Sequence, residues 1–437
     1  MKRIVRAVLP AFLLAVSVGQ IYAFTMFSDE IAKSTGHPLE DVQFAFSLGI
    51  FFLGMGAAFF GKVVEKSLRV SMVVGTALFV GGLCATGMGI AHKSLALIYF
   101  GYGFLVGTGT GIIYISPVKT MMLWFPKHKA IASAVPIISF GLGSTLSTML
   151  YKGFGSGDAH ASIALVYRGL YSVMDVATNP SAISRVFFAL AAFYAVLMSL
   201  ALFLISGPKS GALTAGHAAS RPVFCYRRMA RDPLFLRLWL FMFLNISAGL
   251  CLIPLAKQMM NCPTVGYSEG FATTVVALSG VMNGGGRFLF AWWSDRLARR
   301  VNILLVILAV SAGVMTVSFW PPLVGLALLV VNACYGAGFS VMPAILADHY
   351  GMSDISKIFG AVLSAWGIAG LVGNQAAIAV AKAFGGYGQG GHGYAAVCAM
   401  LVLAYALNFF NVLALRRSSA KPRHAPSGDA PRDGSPQ

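Results

Sequence analysis

Long apolar stretches recur along most of the chain, and they limit what it can fold into more than any other feature. A helix needs about 20 apolar residues to cross the roughly 30 Å hydrocarbon core of a bilayer. The chain is 57% hydrophobic and 11% charged, and its mean hydropathy is +0.77. This composition is typical of a polytopic membrane protein and excludes a soluble domain.

We predict an all-α membrane protein with twelve transmembrane helices. The spans are placed at 5–27, 42–64, 69–91, 95–124, 129–151, 184–206, 234–256, 268–293, 301–320, 322–347, 357–384 and 391–415. The division that follows is an N-terminal six-helix half at 1–206, a cytoplasmic linker at 207–233, a C-terminal six-helix half at 234–415 and a disordered cytoplasmic tail at 416–437.

Three motifs recur six spans apart, which predicts that the two halves are homologous. The pairs are GKVVEKSLR at 61–69 with AWWSDRLARR at 291–300, the glycine-rich run before Pro117 with the one before Pro343, and SFGLGS at 139–144 with AWGIAG at 365–370. In the fourth span, Gly103, Gly107 and Gly111 share one helix face and predict the close approach of another helix. In a carrier built from two such halves, the substrate site lies at mid-membrane between them.

The net charge of +18 is distributed unevenly. With the N-terminus inside, 23 of the 32 Lys and Arg residues fall on the inner side and 7 on the outer side. This asymmetry predicts that both termini are cytoplasmic, in a multi-pass protein of the cell membrane, which is the inner membrane in a bacterium. The excess of basic residues therefore indicates how the chain is oriented in the membrane and that it contacts anionic lipid, and it does not indicate a nucleic-acid partner.

Arg287 lies inside the eighth span, eight residues before Asp295. At the helical rise per residue it is roughly 12 Å from the charged end of that span, near the middle of the membrane. A guanidinium at this depth is costly unless it faces a polar cavity or a partner, and no carboxylate lies within the span. We predict that Arg287 binds the carboxylate of a substrate; a structural arginine bonded to backbone carbonyls or to an acid on another helix is the alternative.

Lys119 lies at a similar depth in the fourth span, eight residues before Lys127. Its long side chain could reach the membrane interface or a structural partner. It could also supply a second positive charge to the substrate, and its depth favours this second role. The polar and aromatic residues that could line a cavity with these two cations are Gln20, Tyr22, Tyr114, Tyr335 and Trp366. For each of them taken alone, helix packing is the more common role.

These residues lie in segments that resemble the oxalate/formate antiporter family of the major facilitator superfamily. The resemblance covers essentially the whole chain, and its most specific segments are FAFSLGIFFLGMGAAFFGKVVEK, GTGTGIIYISPVKTMMLWFPKHKA and LFMFLNISAGLCLI. It implies the major facilitator fold and alternating access for small carboxylates. In the oxalate-exchanging members, the resemblance implies that an arginine in the eighth span and a lysine in the eleventh bind a dicarboxylate inside a cage of aromatic residues. Arg287 matches the arginine, and Tyr22 and Tyr335 resemble cage tyrosines. Trp366 stands where the lysine is expected, which leaves oxalate itself open as a substrate.

We therefore expect a secondary transporter of small organic carboxylates, most simply an anion exchanger that acts as a monomer. A proton-linked carrier of lactate, pyruvate or formate is the alternative within transport. A membrane sensor is disfavoured because the inner segments are too short for a soluble output domain. An enzyme is disfavoured because the chain has no phosphate-binding loop and no mid-span His or acid. The six cysteines form no CxxC pair, and we expect no disulfide, no metal and no cofactor.

Overall fold

The computed structural model describes residues 4–154, 167–206, 225–297, 300–386 and 392–419, most of them helical. Twelve long helices follow one another along the described chain. They are α1 (Val5–Met26), α2 (Leu39–Lys66), α3 (Leu68–Ala91), α4 (Leu95–Trp124), α5 (Lys129–Lys152), α6 (Pro180–Leu204), α7 (Pro233–Asn261), α8 (Glu269–Ser294), α9 (Val301–Val317), α10 (Val324–Tyr350), α11 (Ile355–Ala383) and α12 (Gly393–Ser419). The predicted all-α membrane fold is confirmed.

Ten of the described helices are long and apolar enough to cross a membrane. The other two, α8 and α9, complete the predicted twelve. α8 has 26 residues, about 39 Å at the helical rise, but its glycines and its arginine lower its hydropathy. α9 has 17 residues and is apolar but short.

Helix starts are marked by short polar side chains that accept backbone N–H groups. Ser67 accepts from the first turn of α3, Asp232 from that of α7 and Ser268 from that of α8. These bonds satisfy amide groups that have no partner inside the helix, so these residues fix where the spans begin.

Hydrogen bonds between helix ends place the start of α1 and the end of α12 at the same end of the bundle. We call this the terminal end. The end of α6 bonds to the start of α1 and to the end of α4, the start of α5 bonds to the end of α10, and the start of α7 bonds to the ends of α10 and α12. α1 to α6 form one half and α7 to α12 the other, and the halves meet mainly along α2 with α11 and along α5 with α8 and α10. At Gly54 on α2, a Cβ atom would stand 2.5 Å from the backbone nitrogen of Gly367 on α11. The two helices therefore touch backbone to backbone.

The glycine stripe of α4 packs as predicted. At Gly111 a Cβ atom would stand 2.2 Å from the carbonyl oxygen of Leu53, so α4 and α2 are in direct backbone contact. Outside the helices, Gly153–Phe154 pairs antiparallel with Tyr167–Arg168. Most of the predicted linker, 207–224, and the tail from 420 onward lie outside the described residues. α12 continues to Ser419, a few residues beyond its predicted end.

Candidate functional site

Arg287 lies on α8 at the seam between the two halves and is 4% exposed. Its guanidinium donates a hydrogen bond to the backbone carbonyl of Ile137 on α5, in the opposite half. On its own half it lies 5.7 Å from the ring centroid of Phe339 on α10. Gly141 leaves room for it, because a Cβ atom there would stand 3.6 Å from Nη1. The cation is therefore held between the halves.

The guanidinium is only partly satisfied. Its Nε is buried and has no hydrogen-bond partner among the described residues. No carboxylate forms an ion pair with Arg287 in the described parts of the chain. A buried cation without a counter-charge is costly, and an anion that brings its own oxygens removes that cost.

An aromatic cluster contributed by both halves surrounds this region. It consists of Tyr22 on α1, Tyr114 on α4, Phe140 on α5, Tyr335 and Phe339 on α10, and Trp366 on α11. Trp366 is at its centre, with ring centroids 4.7 Å from Phe339, 5.3 Å from Tyr114 and 6.4 Å from Tyr22. The cluster therefore bridges the seam and touches Arg287 through Phe339.

Several polar groups of the cluster lie close enough to Arg287 to interact with its charge. The phenol groups of Tyr22 and Tyr335 interact with each other, and the charge of Arg287 acts on both of them and on Tyr114. The Tyr114 hydroxyl and the Trp366 indole nitrogen are buried and have no partner within the described residues. Buried donors are normally paired, so this group of free donors is typical of a site whose ligand is an acceptor.

Two aromatic residues of the cluster, Phe140 and Phe339, were not among the predicted site residues. Phe140 occupies the position in SFGLGS that Trp366 occupies in AWGIAG, and the two rings meet at 5.7 Å. Phe140 could therefore have been predicted as a site residue from the sequence repeat. Phe339 lies one helical turn after Tyr335, and this spacing could have predicted that both residues face the site.

Gln20 lies on α1 in a segment, Gly19–Met26, that has 3-10 geometry and also carries Tyr22. Gln20 is buried, its Oε1 accepts from the hydroxyl of Tyr102 at 3.5 Å, and its Nε2 has no partner among the described residues. Its described contact is therefore to α4 within its own half.

Lys119 is placed away from this group. It forms an ion pair with Glu65 at the end of α2, and the two side chains are 11% and 8% exposed. Glu65 also accepts the backbone N–H of Ser356, at the start of α11, at 2.6 Å. The described partner of Lys119 is therefore Glu65 and not a member of the Arg287 cluster, and helical depth alone could not reveal an acid on a neighbouring helix.

Asp295 makes the equivalent contact in the other direction. Its carboxylate accepts the N–H groups of Ala130 and Ile131 at the start of α5, at 3.1 and 3.0 Å, and pairs with Arg300 at 3.0 Å. Glu65 and Asp295 occupy matching positions of the repeated motif, and each binds a helix start in the opposite half. Together they close the terminal end of the seam.

Among the described residues, no three His, Cys, Asp or Glu side chains form a group that could hold a metal ion. The site instead has one buried cation, neutral donors and aromatic walls between two repeated halves, with one end held shut. These are the parts of a secondary membrane carrier that binds a small molecule at mid-membrane.

Comparison with known proteins agrees. Residues 8–374 match the model of the Major Facilitator Superfamily, and the chain belongs to that superfamily. It is 24% identical over 392 residues to the oxalate:formate antiporter of Oxalobacter formigenes, covering 86% of this chain and 85% of the relative. It is 23% identical over 363 residues to the MFS-type transporter YhjX of Escherichia coli, covering 80% and 82%. A crystal structure of the Escherichia coli fucose:proton symporter FucP has the same fold, with a TM-score of 0.67, 14% identity, and 93% and 97% of the two chains covered.

Proposed function

We propose that the protein transports small organic carboxylate anions by alternating access and that Arg287 binds the carboxylate. The observation that carries the proposal is the buried guanidinium at the seam, which has an unpartnered Nε and no described counter-charge. A guanidinium can donate two parallel hydrogen bonds to the two oxygens of a carboxylate, so it matches this group in geometry as well as in charge. The name of the Oxalobacter formigenes relative assigns carboxylates to that protein, which supports the same class here.

The remaining site residues have roles in this proposal. Tyr22 and Tyr335 form the wall between the two halves, and Tyr114 and Trp366 offer free donors to substrate oxygens. Gln20 adds the free Nε2 of its side chain from α1. Because both halves contribute, a bound substrate would contact both and would be released when they separate.

A monocarboxylate fits the site better than a dicarboxylate. Lys119 is neutralised by Glu65, so Arg287 is the cation that the described cluster offers. A second carboxylate would then be desolvated without a partner. The indole of Trp366, where the oxalate-exchanging relatives are expected to carry lysine, gives an apolar surface to the rest of the substrate.

Coupling is proposed to be anion exchange. Each described Asp, Glu and His lies in a connection or within the first or last turn of a helix, so the described mid-membrane region offers no such group to carry a proton. The alternative is a proton-linked monocarboxylate carrier, in which the proton crosses as part of the neutral acid. The single described cation of the cluster suits this alternative as well.

The test is uptake of labelled formate, lactate, oxalate and malonate into proteoliposomes with and without an internal counter-anion. We expect stimulation by the internal anion, and loss of uptake in Arg287→Lys while Arg185→Lys, the same change at an exposed position on α6, keeps it. Normal uptake by a well-expressed Arg287→Lys would exclude the binding role. Acceleration by a pH gradient without internal anion would favour the proton-linked alternative.

The terminal end is proposed to be cytoplasmic, because the inner loops assigned from it hold most of the Lys and Arg residues. Lys33 is exposed in the connection between α1 and α2, at the opposite end. In a Cys225→Ser background, Lys33→Cys should react with an impermeant maleimide added outside intact cells. Labelling only after the membrane is opened would reverse the orientation.

A further inference from the structure

A groove of about 550 Å³ lies at the terminal end, where α1, α4 and α5 of one half meet α8 of the other. Its walls are mainly apolar, with Val8, Phe125, Val135 and Trp292 among the lining residues. It is separate from the Arg287 cluster, with which it shares no lining residue. It has no role in the transport proposed above.

Two of the helices that form the groove present surfaces that suit lipid. On α1, Val5, Leu9 and Phe12 are exposed, and on α8, Phe288 and Leu289 are each 54% exposed. Large apolar side chains exposed on the helices of a membrane protein face the acyl chains. The groove therefore opens toward the bilayer, and an acyl chain is the apolar group available to fill it.

The rim of the groove is cationic. Arg296 is exposed, its guanidinium lies 3.6 Å from the ring centroid of Trp292, and it donates to the Trp292 carbonyl at 3.1 Å. No carboxylate pairs with Arg296 within the described residues. Asp295, which also lines the groove, is already used by the start of α5 and by Arg300. His128 adds a second nitrogen donor at the rim.

We propose that this groove binds an anionic phospholipid, with an acyl chain along Val8 and Val135 and the phosphate on Arg296 and His128. Basic pockets between membrane helices are suited to acidic headgroups. Because α5 and α8 belong to different halves, the groove keeps its shape only while Asp295 holds the start of α5. The lipid therefore binds best when the terminal end is closed, and it stabilises that state.

Binding is tested by native mass spectrometry of the delipidated protein, titrated with phosphatidylglycerol or phosphatidylcholine of the same acyl chains. We expect preference for phosphatidylglycerol, and about fivefold weaker binding in Arg296→Gln, since one interfacial cation contributes about that factor. Lys66→Gln is the matched control, because Lys66 follows Glu65 as Arg296 follows Asp295. Equal binding of the two lipids, or equal losses in the two variants, would overturn the site.

State selectivity is tested by pulsed electron paramagnetic resonance between spin labels at Lys127→Cys and His349→Cys, in a Cys225→Ser background. Both positions are exposed at the terminal end, one on each half. Phosphatidylglycerol should increase the short-distance population in the labelled parent and not in its Arg296→Gln version. A distance distribution that the lipid leaves unchanged would refute the stabilisation of the closed state.

Discussion

Asp295→Ala is expected to open the terminal end of the seam. The carboxylate of Asp295 has a side-chain exposure of 2% and accepts two backbone N–H groups from the start of α5, at 3.1 and 3.0 Å. These bonds join α8 to α5 across the two halves. Alanine removes both acceptors and leaves the amides of Ala130 and Ile131 without that partner.

The magnitude follows from those two bonds. A hydrogen bond to a charged group contributes about 1.5–3 kcal/mol net, so the closed state should lose about 3–6 kcal/mol relative to the open state. Each 1.4 kcal/mol is a tenfold change, which predicts a shift of the closed-to-open ratio by about 10²–10⁴. Asp348→Ala is the control, because that carboxylate is 33% exposed and its ion pairs with Lys129 and Arg300 contribute about 0–1 kcal/mol each.

The assay is the distance distribution between the spin labels at 127 and 349. Asp295→Ala should move most molecules to the long distance, and Asp348→Ala should move few. If the two variants gave the same distribution as the labelled parent, the two N–H bonds would not be what holds the end closed.

Three further predictions concern other parts of the molecule. Gly54→Ala should lower thermal stability in detergent, with a cost of about 1–3 kcal/mol from the forced shift of α11, whereas Gly81→Ala, with open space around it, should not. Lys119→Gln should leave the ratio of oxalate to lactate competition unchanged, because its charge is used by Glu65; selective loss of oxalate competition would return it to the site. The pKa of Cys225 is lowered because backbone N–H groups of Arg228 and Arg227 stabilise its thiolate. The alkylation rate of Cys225 should therefore reach its plateau at a lower pH than the alkylation rate of glutathione. An identical pH profile for the two thiols would contradict this.

The spans could be predicted because bilayer thickness sets the length of an apolar helix. Their ends were less certain, since α7 continues to Asn261 beyond the predicted 256 and α2 begins at Leu39 before the predicted 42. Outside the hydrocarbon core, hydropathy no longer limits a helix, and its start is decided by residues such as Ser268 and Asp232.

The repeat of Glu65 and Asp295 was visible in the sequence, but the partner of each was not. In the structure each acid binds the start of a helix in the opposite half, α11 or α5. Such a contact depends on how the halves dock, which periodicity along one chain does not contain.

The partners of Arg287 and Lys119 could not be predicted from the sequence either. Both lie at a similar predicted depth, yet one meets a backbone carbonyl and aromatic rings while the other meets Glu65. Depth follows from counting residues, but the facing helix follows from packing. Tyr22, Tyr114, Tyr335 and Trp366 gather as one cluster.

The most direct test of the carboxylate site is equilibrium binding of a small monocarboxylate and its methyl ester to the purified protein. The ester keeps the shape and removes the charge, so wild type should bind lactate at least tenfold more tightly than methyl lactate. In Arg287→Lys this preference should fall severalfold, because an ammonium loses the two-pronged geometry. Equal affinities of wild type for the acid and the ester would show that Arg287 does not bind a carboxylate.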